Sequence, residues 1–159
     1  MEAFVQVLAV VAILANAVVY GTDVFCAIVQ RPALANVDDA TLTSTMGQVH
    51  RFGDQRMPIP GVGGLIAAIL TAVVAGIDGR ATASVAAALA ALALIVWLVV
   101  YARVSAPVNK RLTAAAQQGS TAPDARALQG TWDSVINARA LLQGLALAAL
   151  CVALVTAAT

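Results

Sequence analysis

The sequence predicts an all-α integral membrane protein, a four-helix bundle with a short amphipathic cytoplasmic helix between helices one and two. Three observations carry this. Of the 159 residues, 61% are hydrophobic and 11% charged, against about 45–50% and about 25% in a soluble domain. Four apolar stretches come up to the roughly 20 residues that cross a bilayer as helix. None alternates polar and apolar as a barrel strand must, and backbone in lipid has to satisfy its own hydrogen bonds. Mean hydropathy is +0.89. A soluble enzyme and a disordered chain are excluded, and nine Lys/Arg against eight Asp/Glu leave no basic excess for nucleic acid. The length suits one four-span domain over 1–159.

Span one runs from about Phe4 to Val29. Its start carries Glu2 and no Lys or Arg, so it reads as a retained helix rather than a signal peptide. From about Asp38 to Gln55 the chain is polar but periodic, with Leu42, Met46, Val49 and Phe52 at helical spacing. Asp38 or Asp39 is placed to cap this helix. Pro58 and Pro60 set the entry to span two, about Ile59 to Ile77, whose Gly64, Ala67, Ala68, Ala72 and Ala75 allow close helix contact. Asp78-Gly79 marks a tight turn. Span three, about Ala83 to Val104, ends in Trp97 and Tyr101, an interfacial aromatic pair, and the segment 105–109 with Pro107 terminates it. A flexible loop over 117–124 leads through Thr121 or Asp124 as cap into span four, about Trp132 to Ala158.

Arginines and Lys110 concentrate after spans one and three, with only Arg80 in the loop between spans two and three. The longer loops are therefore expected in the cytoplasm and both termini outside, in a multi-pass protein of the cell membrane. Cys26 and Cys151 fall within spans and read as packing residues, not a disulfide.

Ionisable groups within a span are functional candidates. Asn16, Tyr20 and Asp23 share one face of span one, and Trp132, Arg139 and Gln143 one face of span four, with Asn137 off the stripe. Each charge needs a partner, so the stripes are expected to face each other, with Asp23 and Arg139 paired directly or through a bound molecule. Read as a site, Asn16, Tyr20, Asp23, Trp132 and Gln143 bind substrate. Read as structure, the Asp23/Arg139 pair fixes helix register in a non-enzymatic membrane subunit or scaffold, alone or in a homo-oligomer or membrane complex. His50, the only histidine, stands four residues before Asp54, a spacing at which a carboxylate can orient a general base. Met46, His50 and Met57 share a face that suits a soft metal such as copper. No phosphate loop, serine elbow, zinc helix or Cys-x-x-Cys pair is present.

Several elements taken in order resemble one family. These are Tyr20-Gly21-x-x-x-Phe25, Met46-Gly47-x-x-His50-x-x-x-Asp54-x-Arg56-Met57-Pro58, Pro107-x-Asn109-x-x-Leu112, and Trp132 followed by Arg139. Together they resemble the small four-helix membrane proteins that include the fungal anthrone oxygenases, over nearly the whole chain. Ile136 stands where many relatives carry His or Asn after the tryptophan. The resemblance implies a cofactor-independent oxygenase acting on a flat, apolar aromatic molecule. Its catalytic residues would be His50, Asp54 and Arg139, with Trp132 stacking on the substrate and Asn16, Tyr20 or Gln143 helping Arg139 to hold an oxyanion. The alternative from the donor set is a copper, iron or haem protein using His50 with Asp23 or Asp54.

Overall fold

In the computed structural model the structure describes residues 1–158, and these contain helices and no strands. The helices are α1 (Glu2–Phe25), α2 (Arg31–Leu34), α3 (Asp39–Arg56), α4 (Pro58–Ile77), α5 (Ala81–Val100), α6 (Ala106–Gln117) and α7 (Ala125–Thr156). Two π-helical turns, Cys26–Gln30 and Tyr101–Ser105, join α1 to α2 and α5 to α6 without a break. Four helical runs are long and apolar enough to cross a membrane: Glu2–Leu34, Pro58–Ile77, Ala81–Gln117 and Ala125–Thr156.

Two of these runs overshoot the spans expected from sequence, and the cause is the same. A proline in an α-helix clashes with the carbonyl four residues back and lacks the N–H that would bond it. Pro32 and Pro107 would therefore stop α-helices. Each stands two residues beyond a π turn, so the carbonyl four back, of Ile28 or Arg103, lies inside the widened turn. Arg31 N–H reaches back to Cys26 O, and Ala106 N–H to Tyr101 O. The expected end of helix three at 105–109 is thus a continuation, and the polar helix α6 extends it to Gln117.

The chain divides into two compact units. Unit 1 comprises Met1–Gly21, Pro58–Trp97 and Leu141–Thr159, and unit 2 comprises Thr22–Met57 and Leu98–Ala140. The core of unit 1 is made of small residues: Ala12, Ala67, Ala68, Ala90, Ala91 and Ala146, with Leu94 and Leu150. Most of its large apolar side chains point outward, among them Leu14, Ile66, Val73, Leu89, Leu145 and Val155. Small residues inside bring helix backbones close. Gly64 shows this directly, because a Cβ there would lie 2.8 Å from the Asn16 amide. The turn after α4 ends as Asp-Gly implies. Gly79 takes φ +75°, its N–H bonds to Gly76 O, and Arg80 N–H bonds to Ala75 O. Arg80 then gathers Glu2 (3.3 Å), Asp78 (2.8 Å) and the Ala157 carbonyl.

Unit 2 packs α3 on α6. The buried face of α3 is Leu42, Thr43, Met46, Gly47 and His50, and it meets Val108 and Leu112. Gly47 permits the contact, since a Cβ there would come within 2.3 Å of Ala116 Cβ and 2.6 Å of Leu112 O. Asp38, not Asp39, caps α3 through Thr41 N–H at 2.7 Å. That bond holds the Asp38 carboxyl below its usual range. Asp39 instead pairs with Arg126 at 2.7 Å, and Arg126 also donates to the Leu34 and Val37 carbonyls left open at the end of α2. α6 ends at Gly119 (φ +63°) in the same turn geometry as α4. The following segment is anchored by Ala122 N–H to Thr43 Oγ1 at 3.3 Å. Asp124, expected as a cap, pairs with Arg111 at 2.9 Å just ahead of α7.

Candidate functional site

The buried charges of unit 2 are Arg139 and Asp23. On α7, the stripe Trp132, Ile136 and Arg139 faces inward while Asn137 is exposed, as the helical period requires. Arg139 Nη2 meets Asp23 Oδ1 at 2.6 Å, with the two side chains 7% and 2% exposed. Arg139 Nη1 donates to Ser105 Oγ at 2.8 Å. Asp23 stands one turn before the first π turn, and Ser105 closes the second. Two aromatic rings flank the guanidinium, whose carbon lies 5.2 Å from the Trp132 ring and 5.6 Å from that of Tyr101.

His50 is brought in by α3. Its ring centroid lies 5.7 Å from that of Trp132, with the planes tilted by 44°. It is 5% exposed. His50 Nε2, Trp132 Nε1 and Asn109 Oδ1 are buried without a hydrogen-bond partner among the described residues. Burial pushes the His50 imidazole down to about 4; the Asp54 carboxylate works against this and the Arg139 charge adds to it. His50 is therefore a neutral base at pH 7. Asp54 acts on it as a charge, while its own Oδ1 accepts the Tyr101 hydroxyl at 2.7 Å and Asn109 Nδ2 at 2.8 Å. Asp54 itself is exposed.

The structure thus brings Asp23, His50, Asp54, Trp132 and Arg139 into one unit. Asn16, Tyr20 and Gln143 belong to unit 1. Asn16 is fully buried and bonds back to Ala12 O at 2.9 Å, and Gln143 is 1% exposed with neither amide atom paired among the described residues. Tyr20 is 36% exposed and lies against Gly144. Met46 is buried, and its Sδ accepts Gln30 Nε2 at 3.1 Å, while Met57 caps the end of α3. Among the described residues no three His, Cys, Asp or Glu side chains gather as a metal site, and both cysteines are free thiols, Cys26 buried and Cys151 exposed.

Sequence reasoning missed Ser105 and gave Tyr101 an interfacial role. It is instead a ring beside the guanidinium and a hydroxyl on Asp54. Asn109 appeared only as part of a motif, with no partner assigned.

No family model, curated protein or solved structure matches this chain.

Proposed function

We propose that the chain is a multi-pass membrane protein that binds a flat, apolar aromatic carbon acid in unit 2 and oxidises it with dioxygen, without a cofactor. The membrane reading is supported by alanine inside and large apolar side chains outside along the four long helices. Seven of the eight Lys/Arg in unit 2 lie in or beside polar segments, against Arg80 alone in unit 1. This supports cytoplasmic longer loops, extracytoplasmic termini and α3 as an amphipathic surface helix. Reporter fusions at each end test the orientation.

The observation that carries the catalytic reading is the grouping of His50, with Nε2 uncommitted, Trp132 and the Arg139 guanidinium. Trp132 offers a face for the substrate ring. His50 Nε2 takes the benzylic proton, and Arg139 steadies the oxyanion that develops on the conjugated carbonyl. The electron-rich carbanion then reacts with dioxygen. The CH₂ becomes a carbonyl, and the second oxygen atom leaves as water with the two hydrogens removed, so no external reductant is consumed. Asp23 and Ser105 hold Arg139 in place, and Asp54 fixes Tyr101.

Oxygen uptake by the protein in nanodiscs, with an anthrone as probe and quinone absorbance as product signal, tests this. Turnover is expected in the wild type and is expected to fall in His50→Ala and Arg139→Lys. Unchanged turnover in both variants, or none in folded wild type, overturns it. A second reading rests on the engagement of Arg139 by Asp23 and Ser105: a structural pair in a non-enzymatic subunit. Elemental analysis and an optical spectrum of the purified protein test the copper, iron or haem alternative at His50.

A further inference from the structure

The exposed face near the end of α3 carries an arrangement that neither the bundle nor the His50 cluster uses. Phe52 is 44% exposed, and both flanking guanidinium groups turn onto its ring. Arg51 Cζ lies 5.5 Å from the centroid and Arg56 Cζ 5.1 Å. Arg56 reaches it because residues four apart are neighbours on a helix. Arg80, Arg111, Arg126 and Arg139 each carry a carboxylate, whereas Arg51 and Arg56 have none among the described residues. Two uncompensated like charges drawn to one ring repel each other, and an anion set against both relieves that repulsion. Val49, one turn earlier on the same face, is exposed too. Arg56 stands two residues ahead of Pro58, where the second long apolar helix starts.

We propose that Arg51, Phe52 and Arg56 form a binding site for the phosphate headgroup of an anionic phospholipid. The guanidinium groups present paired N–H donors to the phosphate oxygens. Phe52 and Val49 sit against the glycerol and upper acyl segments. The apolar component separates this ligand from a soluble phosphate, which would leave those side chains in water. The proposal rests on the membrane-spanning reading and is independent of the catalytic one.

The test is native mass spectrometry of protein released from nanodiscs of mixed phosphatidylglycerol and phosphatidylcholine, counting retained lipids. The wild type is expected to keep phosphatidylglycerol in preference. R51Q/R56Q, which removes both guanidinium groups, is expected to lose the preference altogether. F52L and R51K/R56K are expected to lose most of the preference, because the ring and the planar fork are what hold the phosphate. R103Q/K110Q, which removes two exposed charges elsewhere in unit 2, is expected to behave as wild type. An equal loss in R103Q/K110Q, or full retention in R51K/R56K, would mean diffuse charge only and overturn the site. So would full displacement of the lipid by inorganic phosphate. Alkaline extraction of native membranes separates failure of the membrane reading, in which the chain is released, from failure of the site in a chain that stays embedded.

Discussion

The same substitution at two positions of one helix should have opposite signs. Gly47 and Gly53 both lie inside α3. Replacing a mid-helix glycine by alanine relieves a backbone entropy cost of roughly 0.5–1 kcal/mol. At Gly53 a new Cβ meets nothing within 4 Å, so Gly53→Ala should collect that gain. At Gly47 the new Cβ would lie 2.3 Å from Ala116 Cβ and 2.6 Å from Leu112 O, where ordinary contact begins at 3.4 Å. To clear Ala116, α3 and α6 must separate locally by about 1.1 Å, and one opposing atom is a backbone carbonyl that no rotamer can move. Such overpacking costs about 1–3 kcal/mol where a core can adjust, so about 3 kcal/mol is expected here. The shift also lengthens the bond from Thr113 Oγ1 to Gly47 O, now 3.2 Å. With about 2–4 °C per kcal/mol for a chain of this size, Gly47→Ala should melt about 6–12 °C below wild type and Gly53→Ala slightly above it. Near-UV circular dichroism in detergent measures both. Adding Ala116→Gly to Gly47→Ala removes the nearer clash but not the carbonyl one, so recovery should be partial. If Gly47→Ala and Gly53→Ala melt within about 2 °C of each other, the backbone approach of α3 to α6 is wrong.

Gly64→Ala should cost less than Gly47→Ala, because the opposing atoms are the tip of the Asn16 side chain, and Asn16→Ala in the same chain should restore the melting temperature. His50 gives a pH signature. Its imidazole is held near 4 in the folded protein against a usual 6.5, so the unfolded chain binds the proton first as pH falls. Stability is full above about 6.5 and declines towards pH 4, by at most about 3 kcal/mol; a melting series should show this slope in wild type and lose it in His50→Gln. Asp23→Asn should destabilise by about 3 kcal/mol, since it leaves the Arg139 charge buried and uncompensated. Asp23→Leu with Arg139→Met should recover most of that in the same melts, and failure to do so would mean the pair itself contributes net stability.

What the sequence revealed follows from uninterrupted helical periodicity. Trp132, Ile136, Arg139 and Gln143 are buried and Asn137 is not, because α7 runs as one α-helix and side-chain direction follows from counting. The approach of Asp23 to Arg139 was legible for an energetic reason: an ionised group in an apolar helix has to find its opposite. Counting fails at Tyr101 and Ser105. They occupy a π turn, where the angular step per residue differs from the α value, and Pro107 behind them looked like a stop. Asp54 stood four residues from His50 and was assigned to it. Tyr101 and Asn109, which arrive from a distant stretch of chain, bond its carboxylate instead. Gly47 was visible only as one letter of a motif; its need for empty space exists only once α6 lies against it.

The two π turns also tie the length of the chain around them to the prolines that follow. A π turn holds one residue more than an α turn, so deleting any single residue from 101–105 would convert it to plain α-helix. The residues beyond would keep nearly their present faces, because a π turn covers with one more residue the rotation that an α turn covers. Pro107 would face a carbonyl with no room for its ring. The same holds for 26–30 and Pro32. A one-residue gap there therefore costs what a proline inside an α-helix costs, about 3 kcal/mol, whereas the same gap in plain α-helix turns every residue beyond it by about 100°.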